Sequence, residues 1–454
     1  MDKLKHNMAM RLIKCLAVVC TALPFTLGWY LWYADRTIVQ YYFRGDLVVI
    51  ALFVVLYFLC ARTYEAFRIE LSRIQDLVYS QILASLIADG VMFIVIWLLN
   101  LYVPAVWPMI LVLAGQAVLV SAWCLLAHKW YFAVFPPEKT VIIYDSRRGM
   151  EDLINEYGLN IRFEVTASAT VEEALNGNLE ILQGAEAAFL CGVQSHERNM
   201  ILKKCIAENI AVYMLPRIGD VIMSGAQPMH LFHLPILRAE RYDPQPEFLF
   251  VKRAFDIAVS GAALLLLSPL MILLALVIHF YDGGPALYAQ CRLTKDGKRF
   301  MVHKFRSMRV DAEKDGVARL STGENDDRIT PVGKVIRACR LDELPQLLDI
   351  LRGDMSIVGP RPERPEIAAQ YEEELPEFAL RLQAKAGLTG YAQVYGKYNT
   401  TPYDKLQMDL MYIANPSLLE DLRIIFATVK ILFMKESTEG VAEGQTTAVG
   451  SGKN

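Results

Sequence analysis

The chain has 454 residues, 54% of them hydrophobic, with a mean hydropathy of +0.28 and a formal net charge of −3. That is too apolar for an ordinary soluble protein and long enough for two or three domains, and the near-neutral charge argues against a nucleic-acid partner. The eight cysteines are scattered, with no Cys-x-x-Cys or Cys/His metal spacing, so they read as reduced thiols in a chain whose soluble parts face a cytoplasm.

Four apolar runs, near residues 12–34, 47–61, 83–103 and 106–132, are long enough to cross a bilayer, the second being short. The first is too long for a signal-peptide core, and no small-residue cleavage site precedes Trp29. Trp29, Tyr30, Trp32 and Tyr33 at its end read as an interfacial aromatic belt. Lys3, Lys5, Arg11 and Lys14 precede the first run, Arg62, Arg68 and Arg73 follow the second, and Lys129 and Lys139 accompany the end of the fourth. The opposite loops hold only Arg36 and Arg44. This bias predicts a four-span bundle over residues 1–135 with both ends cytoplasmic. Asp89 is the one ionisable residue deep in these runs, whereas a transporter would show more polar groups.

Residues 136–218 alternate strands and helices. Thr140–Tyr144, Ile161–Thr166, Ala187–Cys191 and Ile210–Leu215 read as strands, with helices from Met150 and Glu197 between them. The pattern predicts a Rossmann-like parallel α/β domain. Its first turn, Asp145-Ser146-Arg147-Arg148-Gly149, has one glycine where a dinucleotide site needs G-x-G-x-x-G, so no bound NAD is expected. Residues 219–249, with Pro228 and Pro235, read as a connector.

A fifth apolar run, Phe255–Tyr281, opens a further domain over residues 250–436. Ser268-Pro269 lies at its middle, and both flanks are basic, with Lys252-Arg253 before and Arg292, Lys295, Lys298 and Arg299 after. Proline removes a backbone donor, serine can rebond the freed carbonyl, and symmetric flanks give no drive to translocate. A broken, re-entrant hairpin over 255–281 fits both facts. Tyr288–Arg309 then reads as two strands around the turn Lys295-Asp296-Gly297-Lys298, with Lys304 and Arg306 as phosphate ligands at an anionic membrane surface. Residues 310–327 are acidic and polar and read as a mobile loop.

Apolar positions at helical spacing mark Val332–Leu351, broken at Pro345, with Gly353 able to end the second helix. Asp342-Glu343 sits at that break, and Gly353–Pro362 is a tight loop able to turn Arg361 back toward Asp342. A carboxylate can bind Mg²⁺ or attack phosphorus, and arginine forks onto phosphate oxygens. Glu363–Glu377 reads as a solvated helix. Gly387–Gly396, with two tyrosines, reads as a nucleotide or sugar contact or a structural loop. Leu418–Phe433 reads as an amphipathic interfacial or core helix, and residues 437–454 as a disordered tail.

KRAFDI (252–257), Ser268-Pro269, KFRSM (304–308), LDELPQL (341–347), GDMSIVGPRP (353–362), GLTGYAQVYG (387–396) and KLQMDLMYI (405–413) occur in that order. Together they resemble the bacterial sugar transferase family, the polyprenyl-phosphate hexose-1-phosphate transferases, in its long-chain form. The resemblance implies a membrane α-helical bundle, a Rossmann-like α/β domain, and a mostly α (α+β) catalytic domain anchored by a re-entrant membrane helix. It also implies transfer of a hexose-1-phosphate from a UDP-sugar, UDP-glucose or UDP-galactose by preference, to undecaprenyl phosphate with release of UMP. The setting would be the cytoplasmic face of a bacterial inner membrane, at the first membrane step of exopolysaccharide, capsule or O-antigen synthesis. By the same resemblance Asp342 matches the nucleophile of a covalent route, and Glu343 the second acid of a Mg²⁺-binding dyad. Arg337 and Arg361 match arginines that hold phosphates, and Lys304, Arg306 and Pro360 complete the expected substrate-binding set. Ser268-Pro269 matches the break of the membrane hairpin. Arg340 departs from the Ser or Thr many members carry before Leu-Asp-Glu. A homodimer through the N-terminal parts is a further expectation.

Overall fold

The computed structural model describes residues 3–37, 43–100, 102–145, 149–242, 244–309, 328–396 and 400–432. The readings of Ser146, Arg147 and Arg148, of the loop 310–327 and of the tail 437–454 lie outside the described residues. The chain divides into two compact units, Met1–Leu215 and Pro216–Asn454. Five helices among the described residues are long and apolar enough to cross a membrane, four of them in the first unit.

Those four are α1 (Lys3–Gly28), α2 (Phe43–Thr63), α3 (Ile74–Leu98) and α4 (Trp107–Val134). α1 packs on α2 and α4, and α3 on α2 and α4. Apolar surface gives no drive for helices to associate in lipid, so close packing and internal polar contacts must hold such a bundle. Phe25 stacks on Phe53 at 4.2 Å. Gln116 donates to Thr21 O at 3.1 Å and to Asp89 Oδ1 at 3.3 Å, so the buried Asp89 faces helix partners. The aromatic cluster is only partly a belt. Trp29 and Tyr33 are buried, Trp29 Nε1 donating to Asp46 at 2.8 Å and the Tyr33 hydroxyl to Ala105 O at 2.8 Å. The five-residue π-helix Trp29–Tyr33 turns these two inward.

The rest of the first unit is a four-stranded sheet in the order β2-β1-β3-β4, every neighbouring pair parallel. Its strands are β1 (Glu138–Tyr144), β2 (Phe163–Thr170), β3 (Ala187–Cys191) and β4 (Ala211–Met214). Helices α5 (Met150–Glu156), α6 (Val171–Asn176) and α7 (Ser195–Ala207) connect them. Val141, Ile142 and Ile143 are all buried, as a central parallel strand covered on both faces requires. Arg162 ties this domain to the loop between α2 and α3: it reaches Glu70 at 2.8 Å and Glu138 at 3.1 Å. Arg73 from that loop donates to the carbonyls of Glu156 and Tyr157.

In the second unit, the stretch read as a connector is ordered structure. α8 (Ile218–Ser224) buries Val221 in the core of this unit, and β5 (Gln227–Leu231) and β6 (Leu234–Arg238) form an antiparallel hairpin. Proline at the second position of a strand is tolerated in a two-stranded ribbon, where one edge of each strand is unpaired, so Pro228 and Pro235 do not bar the hairpin. α9 (Pro246–Asp282) runs helical through Ser268-Pro269, where two segments were expected. The proline leaves the Leu265 carbonyl without its amide donor, and Ser268 Oγ donates to that carbonyl at 3.0 Å. β7 (Leu287–Leu293) and β8 (Arg299–Phe305) pair antiparallel around the Lys295–Gly297 turn.

The core of this unit joins β8 to α11 (Gln346–Arg352), β9 (Ser356–Val358), α12 (Pro365–Glu374), α13 (Tyr391–Val394), α14 (Pro402–Ala414) and α15 (Leu418–Leu432) through Phe300, Val302, Ile350, Val358, Tyr371, Val394, Leu406 and Ile424. α9 packs on the unit at both ends. Phe255, Ala263 and Leu264 pack on that core. Met271, Leu274, Ala275 and Ile278 pack with Phe305 and Ile336. Between and beside these contacts, Leu265, Leu266, Ile272, Leu273 and Phe280 are exposed.

Candidate active site

The dyad sits in the break between two short helices. α10 (Pro331–Ala338) starts on Thr330, whose Oγ1 accepts from Gly333 N at 2.9 Å, with proline at the first position. It ends before Arg340, which adopts the left-handed conformation (φ 52°, ψ 22°). A 3-10 turn over Leu341–Glu343 carries the two acids, and α11 follows Pro345. Leu341 and Leu344 pack beside Ile336 and Phe305, while Leu347 and Ile350 enter the larger core, so the apolar spacing fixes which way the acids point. Gly353, at φ 96°, ends α11 in the left-handed region that glycine adopts without strain.

β8 is held against this break from its unpaired edge. Asp349 on α11 accepts from His303 N at 2.9 Å and lies 2.6 Å from His303 Nδ1. The next residue, Lys304, donates to Glu343 Oε1 at 2.7 Å.

The proline-bracketed arginine arrives on a close backbone junction. β9 pairs in parallel with β10 (Gly387–Thr389), Gly359 N donates to Thr389 O and Gly387 N to Pro360 O, each at 2.9 Å. A Cβ on Gly359, Gly387 or Gly390 would collide with backbone across this junction. Arg361 leaves it with Nη2 3.2 Å from Glu343 Oε1. Its own carbonyl accepts from Arg381 Nη2 at 2.9 Å, and Arg381 Nε donates to Asp409 Oδ2 at 2.8 Å. Arg381 and Asp409 are 3% and 1% exposed.

The electrostatics separate the two acids. Burial opposes ionisation of Glu343, but Lys304, Arg361 and Arg340 outweigh it and hold the carboxyl well below the usual carboxylate range. Asp342 is 9% exposed, and burial followed by the charge of Glu343 raises its proton affinity, against Lys304, Arg337 and Arg361. No hydrogen bond engages Asp342 among the described residues. Arg337 Nη1 is buried without a hydrogen-bond partner, a guanidinium donor ready for an anion.

Asp342, Glu343, Lys304, Arg337 and Arg361 thus come together. Arg306 does not join them: it lines a small cavity with Ile278, Tyr281, Thr330 and Val332 at the end of α9, its guanidinium lying over Gly284. Pro360 is buried and its carbonyl holds Gly387, so it shapes the loop. Tyr391 donates to Glu420 at 2.6 Å, and Gln393 to Leu388 O at 3.2 Å, which makes this end of the tyrosine segment a scaffold. The Arg381–Asp409 pair and the His303–Asp349 clamp carried no sequence signal, because their partners lie 28 and 46 residues apart. As a Mg²⁺ site the donor set is poor. The dyad gives two carboxylates, Glu343 already serves two cations, and no cluster of three or more His, Cys, Asp or Glu forms among the described residues.

Comparison with known proteins points to one family. Residues 248–435 match the family model described as bacterial sugar transferase. An exopolysaccharide production protein of Rhizobium leguminosarum bv. phaseoli is 44% identical over 190 residues, 40% of this chain and 94% of that one. A UDP-glucose:undecaprenyl-phosphate glucose-1-phosphate transferase of Caulobacter vibrioides is 40% identical over 191 residues, 41% of this chain and 71% of that one. A UDP-N-acetylgalactosamine-undecaprenyl-phosphate N-acetylgalactosaminephosphotransferase of Aeromonas hydrophila is 36% identical over 239 residues, 52% of this chain and 55% of that one.

Proposed function

The chain belongs to the bacterial sugar transferase family, and from that premise we propose that it transfers a hexose-1-phosphate from a UDP-sugar to undecaprenyl phosphate, releasing UMP. The observation that carries the reading is the separation of the two acids. Glu343 is fixed by Lys304 and Arg361, and among the described residues Asp342 is left without a hydrogen bond, near the unpartnered Nη1 of Arg337.

A carboxylate is a usable nucleophile at neutral pH without a separate base. In the first step an Asp342 carboxylate oxygen bonds to the β-phosphorus of the donor. The bond from that phosphorus to the bridging oxygen breaks, and UMP leaves with the electron pair. Arg337, Arg361 and Lys304 stabilise the charge that builds on the phosphoryl oxygens. In the second step an oxygen of undecaprenyl phosphate attacks the same phosphorus, and Asp342 leaves as carboxylate. The family's Mg²⁺ would add charge neutralisation on the diphosphate when bound.

The proposed donor is UDP-glucose or UDP-galactose. The Caulobacter relative's name supports glucose. The Aeromonas relative's name makes UDP-N-acetylgalactosamine the second donor to test.

The proposed setting is the cytoplasmic face of the bacterial inner membrane, with both ends of α9 kept at that face by the unit that packs on them. What supports this is that one unit packs along one side of α9 from Phe255 to Ile278, while Leu265, Leu266, Ile272 and Leu273 on the same helix are exposed. A crossing helix carries its ends to opposite faces. The Arg73 and Arg162 contacts are consistent with the basic α2–α3 loop and the α/β domain sharing a face.

The test is UMP release from a panel of UDP-sugars, with and without undecaprenyl phosphate. The reading expects sugar-dependent UMP in wild type and none from Asp342→Asn. Turnover near wild type in that variant would remove the covalent route.

A further inference from the structure

Two neighbouring residues of β8 are tied to the segment that carries the dyad. Lys304 donates to Glu343 Oε1 at 2.7 Å, and His303, one residue earlier, is held by Asp349. Asp349 grips backbone and ring together: its Oδ2 accepts from His303 N at 2.9 Å, and its Oδ1 lies 2.6 Å from His303 Nδ1. A carboxylate only accepts, so Nδ1 carries the ring proton and donates it. Asp349 is fully buried, and Arg352 reaches the same Oδ1 at 3.6 Å.

The doubled attachment has a geometric effect. β7 pairs with one edge of β8, in the register Tyr288 to Lys304 and Ala289 to His303, and the other edge has no strand partner among the described residues. Val302 and Phe305 are buried on either side of the pair. Apolar burial is non-directional, whereas hydrogen bonds of 2.6 and 2.9 Å fix both distance and angle. Lys304 needs that help, because its four-carbon stem is flexible and its head is a point charge. Glu343 and Asp349 belong to one short segment, the 3-10 turn, Pro345 and α11. That segment therefore sets where the strand lies and also receives the ammonium that leaves it.

We infer that Asp349 and His303 are a positioning pair for the proposed transfer, acting through Lys304 by holding its ammonium on Glu343 where the donor diphosphate must arrive. The pair's effect on turnover rests on the nucleotide-sugar reading above; its hold on Lys304 does not.

The experiment uses the full chain in lipid nanodiscs with two readouts. One is kcat and KM for UMP release from a UDP-sugar. The other is the rate at which acetic anhydride acetylates Lys304, followed by mass spectrometry. Asp349→Ala removes both bonds. His303→Leu removes the ring bond alone, and carries the test where Asp349→Ala does not fold. His303→Asn returns an N–H near the place of Nδ1. The first two variants raise KM by at least about fivefold with a smaller change in kcat, and His303→Asn stays within about twofold of wild type. Lys304 is acetylated faster in the first two and at the wild-type rate in His303→Asn. In a Lys304→Met background His303→Leu changes KM no further. A pair that serves the fold alone lowers the melting temperature and leaves KM and Lys304 reactivity as in wild type, and that result overturns the inference. So does a KM effect of His303→Leu that persists beside Lys304→Met. Wild type that releases no UMP sinks the nucleotide-sugar reading, and Lys304 reactivity then decides the pair by itself.

Discussion

Arg361 reaches Glu343, not Asp342: its Nη2 lies 3.2 Å from Glu343 Oε1, the oxygen that also takes Lys304. One acid therefore holds the cations, and in the proposed route the other is the nucleophile. Asp342→Asn is expected to lose at least about 10³-fold in UMP release, since an amide is no nucleophile. Glu343→Gln is expected to keep a measurable rate with a raised KM for the UDP-sugar, because Lys304 and Arg361 lose their anchor. Equal losses in the two variants, in kcat alone, would contradict this division.

The pH dependence has a definite sign. Burial and the charge of Glu343 push the Asp342 carboxyl up, so the reactive carboxylate is lost at a higher pH than an ordinary aspartate's. The acid limb of kcat/KM should lie correspondingly high. Glu343→Gln removes the repelling charge and should move that limb to lower pH. Stability runs the other way. The folded site holds the Asp342 proton more tightly than the unfolded chain, so ionising Asp342 costs stability as pH rises. Asp342→Asn should melt no earlier than wild type at neutral pH.

Breaking the pair behind Arg361 should unfold rather than retune. Asp409→Asn leaves Arg381 buried and half-paired. The cost expected from such a break is about 3–5 kcal/mol. Thermal unfolding of the purified variant reads it, and a change below about 1 kcal/mol would mean the pair is not buried as described.

The glycine junction offers a sharper contrast. Gly387→Ala places a Cβ into the Gly359 backbone, which cannot rotate away as a side chain can. That variant should yield little folded enzyme. Gly297→Ala, in the β7–β8 turn at φ 71° with open space around it, should cost only about 1 kcal/mol. Comparable yield and melting of the two variants would show the junction to be looser than drawn.

Pro269→Ala restores an amide donor to the Leu265 carbonyl and makes the Ser268 hydroxyl redundant. A helix freed of its internal proline should favour crossing the bilayer. The expected result is membrane-bound protein with reduced UMP release, and a cysteine placed after α9 that loses labelling from the cytoplasmic side. Unchanged labelling and activity would remove the role proposed for Pro269.

Much of this was legible in the residues. The Lys295-Asp296-Gly297-Lys298 turn placed the β7–β8 hairpin, and Gly353 placed the end of α11. Alternating strands gave the parallel sheet of the first unit. What was not legible depended on distance along the chain. Trp29 and Tyr33 look like a lipid-facing belt until Asp46 and Ala105 appear as their partners. Arg306 shares a segment with Lys304 but lies just past the end of β8 and beside Ile278 and Tyr281 of α9, and only the fold shows that their heads part. The connector hid α8, because Val221 is one apolar residue whose burial depends on α14 packing against that helix.

The N-terminal end of α9 carries a last consequence. Lys252 donates to Asp421 at 2.5 Å, Arg253 to the carbonyls of Ile350 and Leu351, and Asp256 accepts from Ile357 N, one residue from Val358 at the end of β9. Lys252 and Asp256 are buried and Arg253 half-buried, yet they belong to the helix proposed to meet the lipid. A water-soluble enzyme cannot be made by trimming that helix away, because the cut would open the interior beneath the Gly359-Pro360-Arg361 loop. The smallest working piece must begin near Pro246 and be handled with its lipid or detergent collar in place.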